Sequence, residues 1–291
     1  MIKDMDAEYL KLCCTAVYEN EWTKLLLGDS FHPGGIELTT RLGELLNLSA
    51  ADHLLDVAAG QATSAIHLAK MFGCRVTAVE YGKKAVVAAQ TAVSAAGVAD
   101  LVTVQHGDAE SLPCPDDYFD ALICECAFCT FPNKETAVSE FTRVTKSGGR
   151  IGLSDLTRAG TLPAELEGLM GWIACIADAQ PIEKYTTYLQ NGGFQITGAE
   201  NHDGALADMV RSIQSKLLGA EIMIGLNKLT LPDLDLKQAK SIARHAAQAV
   251  RQGKLGYALL VGVKRQGDRD AEEQGHISPP HPPSPAPKKG R

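Results

Sequence analysis

The chain has 291 residues, 45% of them hydrophobic, which is enough to bury one sizeable core with an appended cap. It carries 28 Lys and Arg against 35 Asp and Glu, a formal net charge of −7, so it lacks the basic footprint that nucleic acid needs and points to a small-molecule substrate. No apolar run reaches the roughly 18 residues needed to span a bilayer, and the opening Met1 to Glu8 segment is too charged to begin an export signal, so the expected location is the cytoplasm.

Residues 1–30, with Tyr9, Leu10, Leu12, Val17, Tyr18, Trp22 and Leu25 to Leu27, read as a helical segment packed over a sheet edge. His32-Pro33-Gly34-Gly35 suits a loop closing over a site, with His32 a candidate base or a solvent-facing turn residue. From Asp52 onward, short apolar runs alternate with helical periods, the pattern of βαβ units on a mostly parallel sheet. Strands are expected over 53–58, 75–80, 101–106, 118–124 and 150–155. Helices are expected over 61–72, with Ala62, Ala65, Ile66, Ala69 and Phe72 on one stripe, over 83–96, and from Asn133 with Ala137, Val138, Phe141 and Val144 inward.

After Asp155 the pattern changes. Helices are expected over 163–176 and 181–191, a strand over 194–200, helices over 206–226 and 236–252, and a last strand over 257–264, making a seven-stranded α/β sheet. The helices between Leu206 and Gln252 suit a lid or an interface between two copies of the chain. Residues 266–291 hold six prolines and almost no apolar side chain, and are expected to be a disordered tail. His53, His67 and His106 fall within core elements and read as structural.

In an open sheet of this kind, a ligand sits beyond the carboxyl ends of the strands, and small residues after the first strand let it approach the backbone. Asp56-Val57-Ala58-Ala59-Gly60 occupies that place. Glu80 ends the second strand twenty residues after Gly60, where a carboxylate can accept both hydroxyls of a ribose, with Tyr81 beside it. Asp108 and Ala109 follow the third strand, and Asp108 can accept from an adenine amino group. Each element alone also reads as an ordinary turn or strand end.

Together, these three elements resemble the class I S-adenosylmethionine-dependent methyltransferase family over about residues 52–156, with Gly148-Gly149-Arg150 matching its turn before the fifth strand. The resemblance implies a Rossmann-like fold, S-adenosylmethionine as cofactor, and Asp56, Ala58, Gly60, Glu80, Tyr81, Asp108 and Ala109 as its binding residues. It also implies a core over 52–156 within a methyltransferase domain of 31–265, with a cap and insertions over 157–252. The family usually has glycine where Ala58 stands. A nicotinamide dinucleotide would want a three-glycine turn that Ala58 to Thr63 does not supply. Tyr18, Trp22 and Tyr81 can face a sulfonium cation or simply pack in the core.

Eight cysteines, at 13, 14, 74, 114, 124, 126, 129 and 175, are expected to be mostly reduced thiols. Cys74 and Cys114 read as small buried hydrophobes. Cys124-Glu125-Cys126-Ala127-Phe128-Cys129 lies where this fold puts residues beside the transferable methyl, and three readings stay open there. The thiols line the core; Cys126 and Cys129 contribute to a zinc site; or the cysteines hold a soft substrate atom, as thiolates select thiophilic centres such as a trivalent metalloid. Glu125 can instead serve as base for an oxygen, nitrogen or carbon acceptor.

Phe119 to Lys134 resembles the arsenite methyltransferase segment that carries an arsenic-binding cysteine at the position of Cys126, and Gly171 to Ala177 resembles the segment carrying a second one at Cys175. That resemblance implies a metalloid acceptor on Cys126 and Cys175 and an external thiol that recycles the pocket. The family's further thiols ahead of the core have no counterpart in Leu27 to Ser30, and only Cys13 and Cys14 lie upstream. A non-enzymatic S-adenosylmethionine-binding or metal-sensing protein is the remaining alternative.

Overall fold

A computed structural model describes residues 5–28, 30–231 and 234–266. From 267 on, the proline-rich tail lies outside the described residues.

Seven strands form one sheet: β1 (His53–Val57), β2 (Arg75–Glu80), β3 (Val102–His106), β4 (Phe119–Glu125), β5 (Thr145–Arg158), β6 (Phe194–Asn201) and β7 (Leu255–Lys264). Their order is β3-β2-β1-β4-β5-β7-β6. The first five run parallel, and β7 runs antiparallel to both β5 and β6. The expected mostly parallel seven-stranded sheet is therefore present. Parallel strands are covered on both faces, so β1 and β4 are buried along nearly their whole length. Strand order reverses between β1 and β4, which opens a crevice above their carboxyl ends.

The covering helices follow from apolar spacing. In α4 (Thr63–Phe72) Ala65, Leu68 and Ala69 are buried; in α5 (Lys83–Ala95) Val86, Ala89 and Val93 are. α6 (Lys134–Val144) is capped by Asn133, whose side chain accepts from the Thr136 amide, and buries the expected Ala137, Val138, Phe141 and Val144. A helix not expected from the sequence, α3 (Gly35–Leu45), packs on α4, where a Cβ on Gly43 would sit 2.5 Å from the Phe72 ring.

Three expectations need correction. The N-terminal segment forms α1 (Ala7–Tyr18) and α2 (Glu21–Leu27), yet α1 crosses the carboxyl ends of the strands rather than a sheet edge: Lys11 bonds Asp108 and the Tyr18 hydroxyl bonds the Ile173 carbonyl. The single helix expected over 163–176 is a 3-10 turn, Ala164–Leu166, followed by a short α7, Leu169–Ile173. Extended backbone at Gly168 breaks it, and Gly171 lies so close under Leu166 that a Cβ there would be 1.9 Å from the Leu166 carbonyl oxygen. β5 begins at Thr145, well before the expected Arg150.

α8 (Ile182–Asn191) leads into β6, and the long α9 (Asp203–Gly225) pairs with α10 (Leu236–Arg251). Leu26 of α2, Leu217 and Ala243 form a small second core joining this helix pair to the N-terminal segment. No helix among the described residues is long and apolar enough to cross a membrane.

The Phe141 ring is fully buried between Phe128 and Phe131. Phe141→Ala is expected to lower unfolding stability by about 3–5 kcal/mol, read from the urea midpoint at unchanged denaturant slope.

Candidate active site

A cavity of about 370 Å³ lies over the carboxyl ends of β1, β2 and β4. Its floor contains Asp56, Ala58, Gly60, Glu80, Asp108, Ala109 and Glu125, and Tyr81 stands in its wall. The structure therefore brings together every residue the sequence nominated for the cofactor. Ala58 adopts a left-handed conformation (φ 59°), so the turn takes the shape a glycine would give while alanine's small side chain keeps it open.

Glu80 accepts the amide N–H of Gly60 at 2.8 Å and of Gly82 at 2.7 Å, which ties the β1 turn to the end of β2. Burial raises its carboxyl above the usual range, and those N–H groups oppose the shift. Asp108 pairs with Lys11 of α1 at 2.7 Å, and Lys11 also reaches Glu110 at 2.8 Å. The Tyr81 hydroxyl bonds Glu8 of the same helix at 2.5 Å. Tyr81 thus stands at the β2 end of the cavity, while Tyr18 is the aromatic at the thiol end.

Asp56 is buried, and its Oδ2 has no hydrogen-bond partner among the described residues. Burial, then the nearby Glu125 and Glu80, push its carboxyl well above the usual range. An orphaned carboxylate oxygen in a cavity wall fits a cationic group, and the donor set suits the ammonium and sulfonium of S-adenosylmethionine.

Glu125 ends β4 facing the same cavity. Ser64 of α4 donates to its Oε2 at 2.6 Å, Thr39 of α3 donates at 3.1 Å, and His32 Nε2 is 3.8 Å away. His32 is buried and within reach of Ser30 Oγ at 2.9 Å, so it is a fixed wall residue, not a solvent-facing turn.

The cysteines divide. Cys126 and Cys175, 49 residues apart, meet at the edge of the cavity: the Cys175 thiol lies 3.2 Å from the Cys126 carbonyl oxygen. Its neighbours, first the Cys126 and Cys129 thiols and then Tyr18 and Lys134, hold the Cys175 thiol well below its ordinary range against the desolvation of burial. Cys175, then burial, push the Cys126 thiol up, and burial, then Cys175, do so for Cys129. Both Cys126 (φ 52°) and Cys175 (φ 63°) are left-handed, a conformation costing about 1–3 kcal/mol for a residue with a side chain. Cys14 of α1 also faces the cavity; burial, then Cys175, push its thiol up to about 12.

Cys124 is a correction: the two-residue period of β4 sends Glu125 to the cavity and Cys124 into the core, where it lines no cavity wall. Cys74 and Cys114 are buried as expected, and Cys13 lies beside Tyr9. Among the described residues, no group of three or more His, Cys, Asp or Glu side chains is disposed to hold a metal ion, so the zinc reading of Cys126 and Cys129 is unsupported.

Several supporting residues were missed. Buried Lys134 donates to the carbonyls of Cys129 (2.9 Å) and Phe131 (3.1 Å) and pairs with Asp178 at 2.5 Å, pinning the loop after β4 to the segment that carries Cys175. Asp155 accepts the Cys129 amide at 2.8 Å; burial, then Cys175, raise its carboxyl to about 7. Thr39 and Ser64 carried no signal beyond their positions near the first turns of α3 and α4.

A second cavity of about 180 Å³ adjoins the first, and Tyr18, Phe31, Cys126 and Cys175 stand in both walls.

Residues 55–153 match the family described as a methyltransferase domain. Over 231 residues the chain is 28% identical to 27-O-demethylrifamycin SV methyltransferase of Amycolatopsis mediterranei, covering 78% of this chain and 82% of that one. Its fold is similar to that of the cyclopropane synthase MmaA2 of Mycobacterium tuberculosis, with a TM-score of 0.74 at 15% identity over 87% of this chain and 98% of that one. It is also similar to Haemonchus contortus phosphoethanolamine N-methyltransferase 2 in complex with S-adenosylmethionine, with a TM-score of 0.71 at 17% identity over 87% of this chain and 57% of that one. These comparisons support the broad methyltransferase resemblance. The narrower one finds no support, since no relative found is named for arsenite.

A thiol held below the ordinary range ionises early as pH rises and loses its charge only when pH falls through the depressed value. Ultraviolet thiolate absorbance of the folded protein is therefore expected to persist well below about pH 8.5, the ordinary thiol midpoint, and Cys175→Ser is expected to abolish that acid-range component.

Proposed function

We infer that this chain, an S-adenosylmethionine-dependent methyltransferase, methylates a small acceptor held at the thiols of Cys126 and Cys175, and that the atom methylated is thiophilic, a trivalent metalloid such as arsenite being the class that fits. The observation that carries this reading is the meeting of Cys126 and Cys175 at one end of the cavity, both in strained backbone, whereas Cys129 is buried behind them and lines no cavity wall. Strain of that kind persists where the surroundings impose it, and core-lining thiols would not require it.

When bound, the cofactor supplies an electrophilic methyl group and its own leaving group, so the protein's work is orientation and exclusion of water. Asp56 would hold the cationic end, Glu80 the ribose and Asp108 the adenine edge, with Ala58, Gly60, Tyr81 and Ala109 forming the surrounding wall. Cys175 and Cys126 would each form a sulfur bond to the acceptor by displacing one of its hydroxyl groups, which leaves as water with the thiol proton. Tyr18 and Phe31 would close the thiol end against water. Transfer of a methyl cation turns a trivalent centre pentavalent, so this reading requires an external small thiol to return two electrons before another transfer.

One observation favours a second reading. Glu125 faces the cavity with its carboxylate fixed by Ser64 and Thr39 and with His32 close by, an arrangement suited to removing a proton from an oxygen, nitrogen or carbon acceptor.

Labelled cofactor with a panel of arsenite, small amines and phenols separates the two. Cys126→Ser and Cys175→Ser are each expected to lower kcat/KM for arsenite on the order of 100-fold or more while S-adenosylmethionine affinity stays unchanged. Methyl transfer to a phenol or amine that survives both substitutions and is lost in Glu125→Gln would establish the second reading instead. For the cofactor end, calorimetry of Asp56→Asn is expected to show S-adenosylmethionine bound roughly 10- to 100-fold more weakly, the loss of a hydrogen bond to a charged group.

A further inference from the structure

The second cavity lies between α2, α7, α9 and α10, and its composition is one-sided. Leu26, Ile173, Leu217, Ile242 and Ala246 stand in its wall, and no Asp, Glu, Lys, Arg or His side chain lines it among the described residues. Its polar members are Thr23, whose hydroxyl is bonded to the Val17 carbonyl, Tyr18, whose hydroxyl is bonded to the Ile173 carbonyl, Trp22, and the two shared cysteines. A carboxylate, ammonium or phosphate placed there would lose its hydration, with only the unpartnered indole N–H of Trp22 to offer a donor and no counter-charge from Asp, Glu, Lys, Arg or His. The volume, about 180 Å³, compares with the roughly 150 Å³ apolar cavity known to take up benzene. Because Cys126 and Cys175 belong to both walls, whatever atom they hold has this chamber on its far side.

We propose that the chamber is the second half of the acceptor site and receives an uncharged apolar group about the size of an aromatic ring, attached to the atom that is methylated. The proposal deepens the reading of Cys126 and Cys175 as the acceptor's anchor and rests on it for where the methylated atom lies. It makes the preferred acceptor an organo-substituted molecule and disfavours a bare ion. Burying a ring-sized group is expected to favour such an acceptor by about tenfold or more over its unsubstituted counterpart.

The test uses the full chain, with phenylarsine oxide and arsenite as paired thiol-binding probes and toluene as a probe that makes no bond to sulfur. Ala246 of α10 touches the chamber and takes no part in the cofactor site, so Ala246→Phe fills the space, and the milder Ala243→Leu serves if that variant does not fold. In the wild type, toluene is expected to show saturation transfer from the protein, and phenylarsine oxide to bind more tightly than arsenite. Filling the chamber is expected to abolish the toluene signal and to cut the phenylarsine oxide preference about tenfold, with arsenite and S-adenosylmethionine affinities unchanged. An unchanged preference and an unchanged toluene signal in both variants would overturn the proposal. Toluene binding that is lost on filling, with neither arsenical bound by the wild type, would keep the chamber and remove only the metalloid reading.

Discussion

Four carboxylates crowd the carboxyl ends of the central strands: Asp56 on β1, Glu80 on β2, Glu125 on β4 and Asp155 on β5, all shielded from solvent. For scale, two like charges 4 Å apart repel by about 4 kcal/mol at an effective dielectric constant of 20. The fold offsets this locally. Backbone N–H groups of Gly60 and Gly82 serve Glu80, those of Cys129 and Leu156 serve Asp155, and hydroxyls of Ser64 and Thr39 serve Glu125. Asp56 keeps one oxygen unserved. The remaining electrostatic deficit therefore sits at the base of the cavity, and it favours a ligand whose charge is positive and compact, a demand that a sulfonium cofactor with an ammonium group meets.

At the other end of the cavity the charge problem is inverted. The Cys175 thiol is buried, yet its neighbours Cys126, Cys129, Tyr18 and Lys134 hold it below its ordinary range. That arrangement depends on two pieces of chain that share no secondary structure. The Cys126 amide bonds the Ser154 carbonyl at 2.6 Å and so follows β5, whereas Cys175 follows α7. Lys134 bridges them through the Cys129 and Phe131 carbonyls on one side and Asp178 on the other. Removing that ammonium would take the donor from two carbonyls and the counter-charge from Asp178, which would keep only the Gln180 side-chain amide, so the thiol geometry and the packing of the segment over 163–178 are coupled.

How legible this was depends on sequence separation. The parallel strands and α6 announce themselves because burial on both faces gives continuous apolar runs and a regular helical stripe. The residues expected to hold the cofactor could be nominated because each ends a strand or opens the turn after it. α3 was not read, since Gly34-Gly35 and Thr39-Thr40 interrupt the apolar period that Leu38 and Leu42 begin. The helix over 163–176 was read as whole because the steric conflict at Gly171 is with a carbonyl five residues earlier, which composition does not register. The support of Glu125 was invisible for a different reason: its partners Ser64 and Thr39 are 61 and 86 residues away, and nothing in a hydroxyl's local sequence says which carboxylate it will meet. Cys124 was grouped with its neighbours by proximity in sequence, although the pleat of β4 sends it the other way.

α1 ties the two cavities into one functional unit. It precedes the core in sequence but supplies Lys11, Cys14, Thr15 and Tyr18 to the first cavity and Val17 and Tyr18 to the second. One of its side chains, Leu10, is fully buried. Most of its other anchors are polar: Glu8 with Tyr81, Lys11 with Asp108 and Glu110, and Glu19 with the amides of Lys84 and Ala85. Partly exposed charge pairs contribute about 0–1 kcal/mol each and weaken as salt rises. The strands below are held by the main core, whereas α1 adds one buried apolar side chain to its polar anchors. Any displacement of α1 withdraws Tyr18 from both cavities at once, breaking its bond to the Ile173 carbonyl and its contact with Cys175 in the same motion. The polar half of the site, the thiols and the apolar chamber are therefore not three independent compartments: they share one helix as their cover, tied down by the part-buried pairs of Lys11 with Asp108 and Glu110.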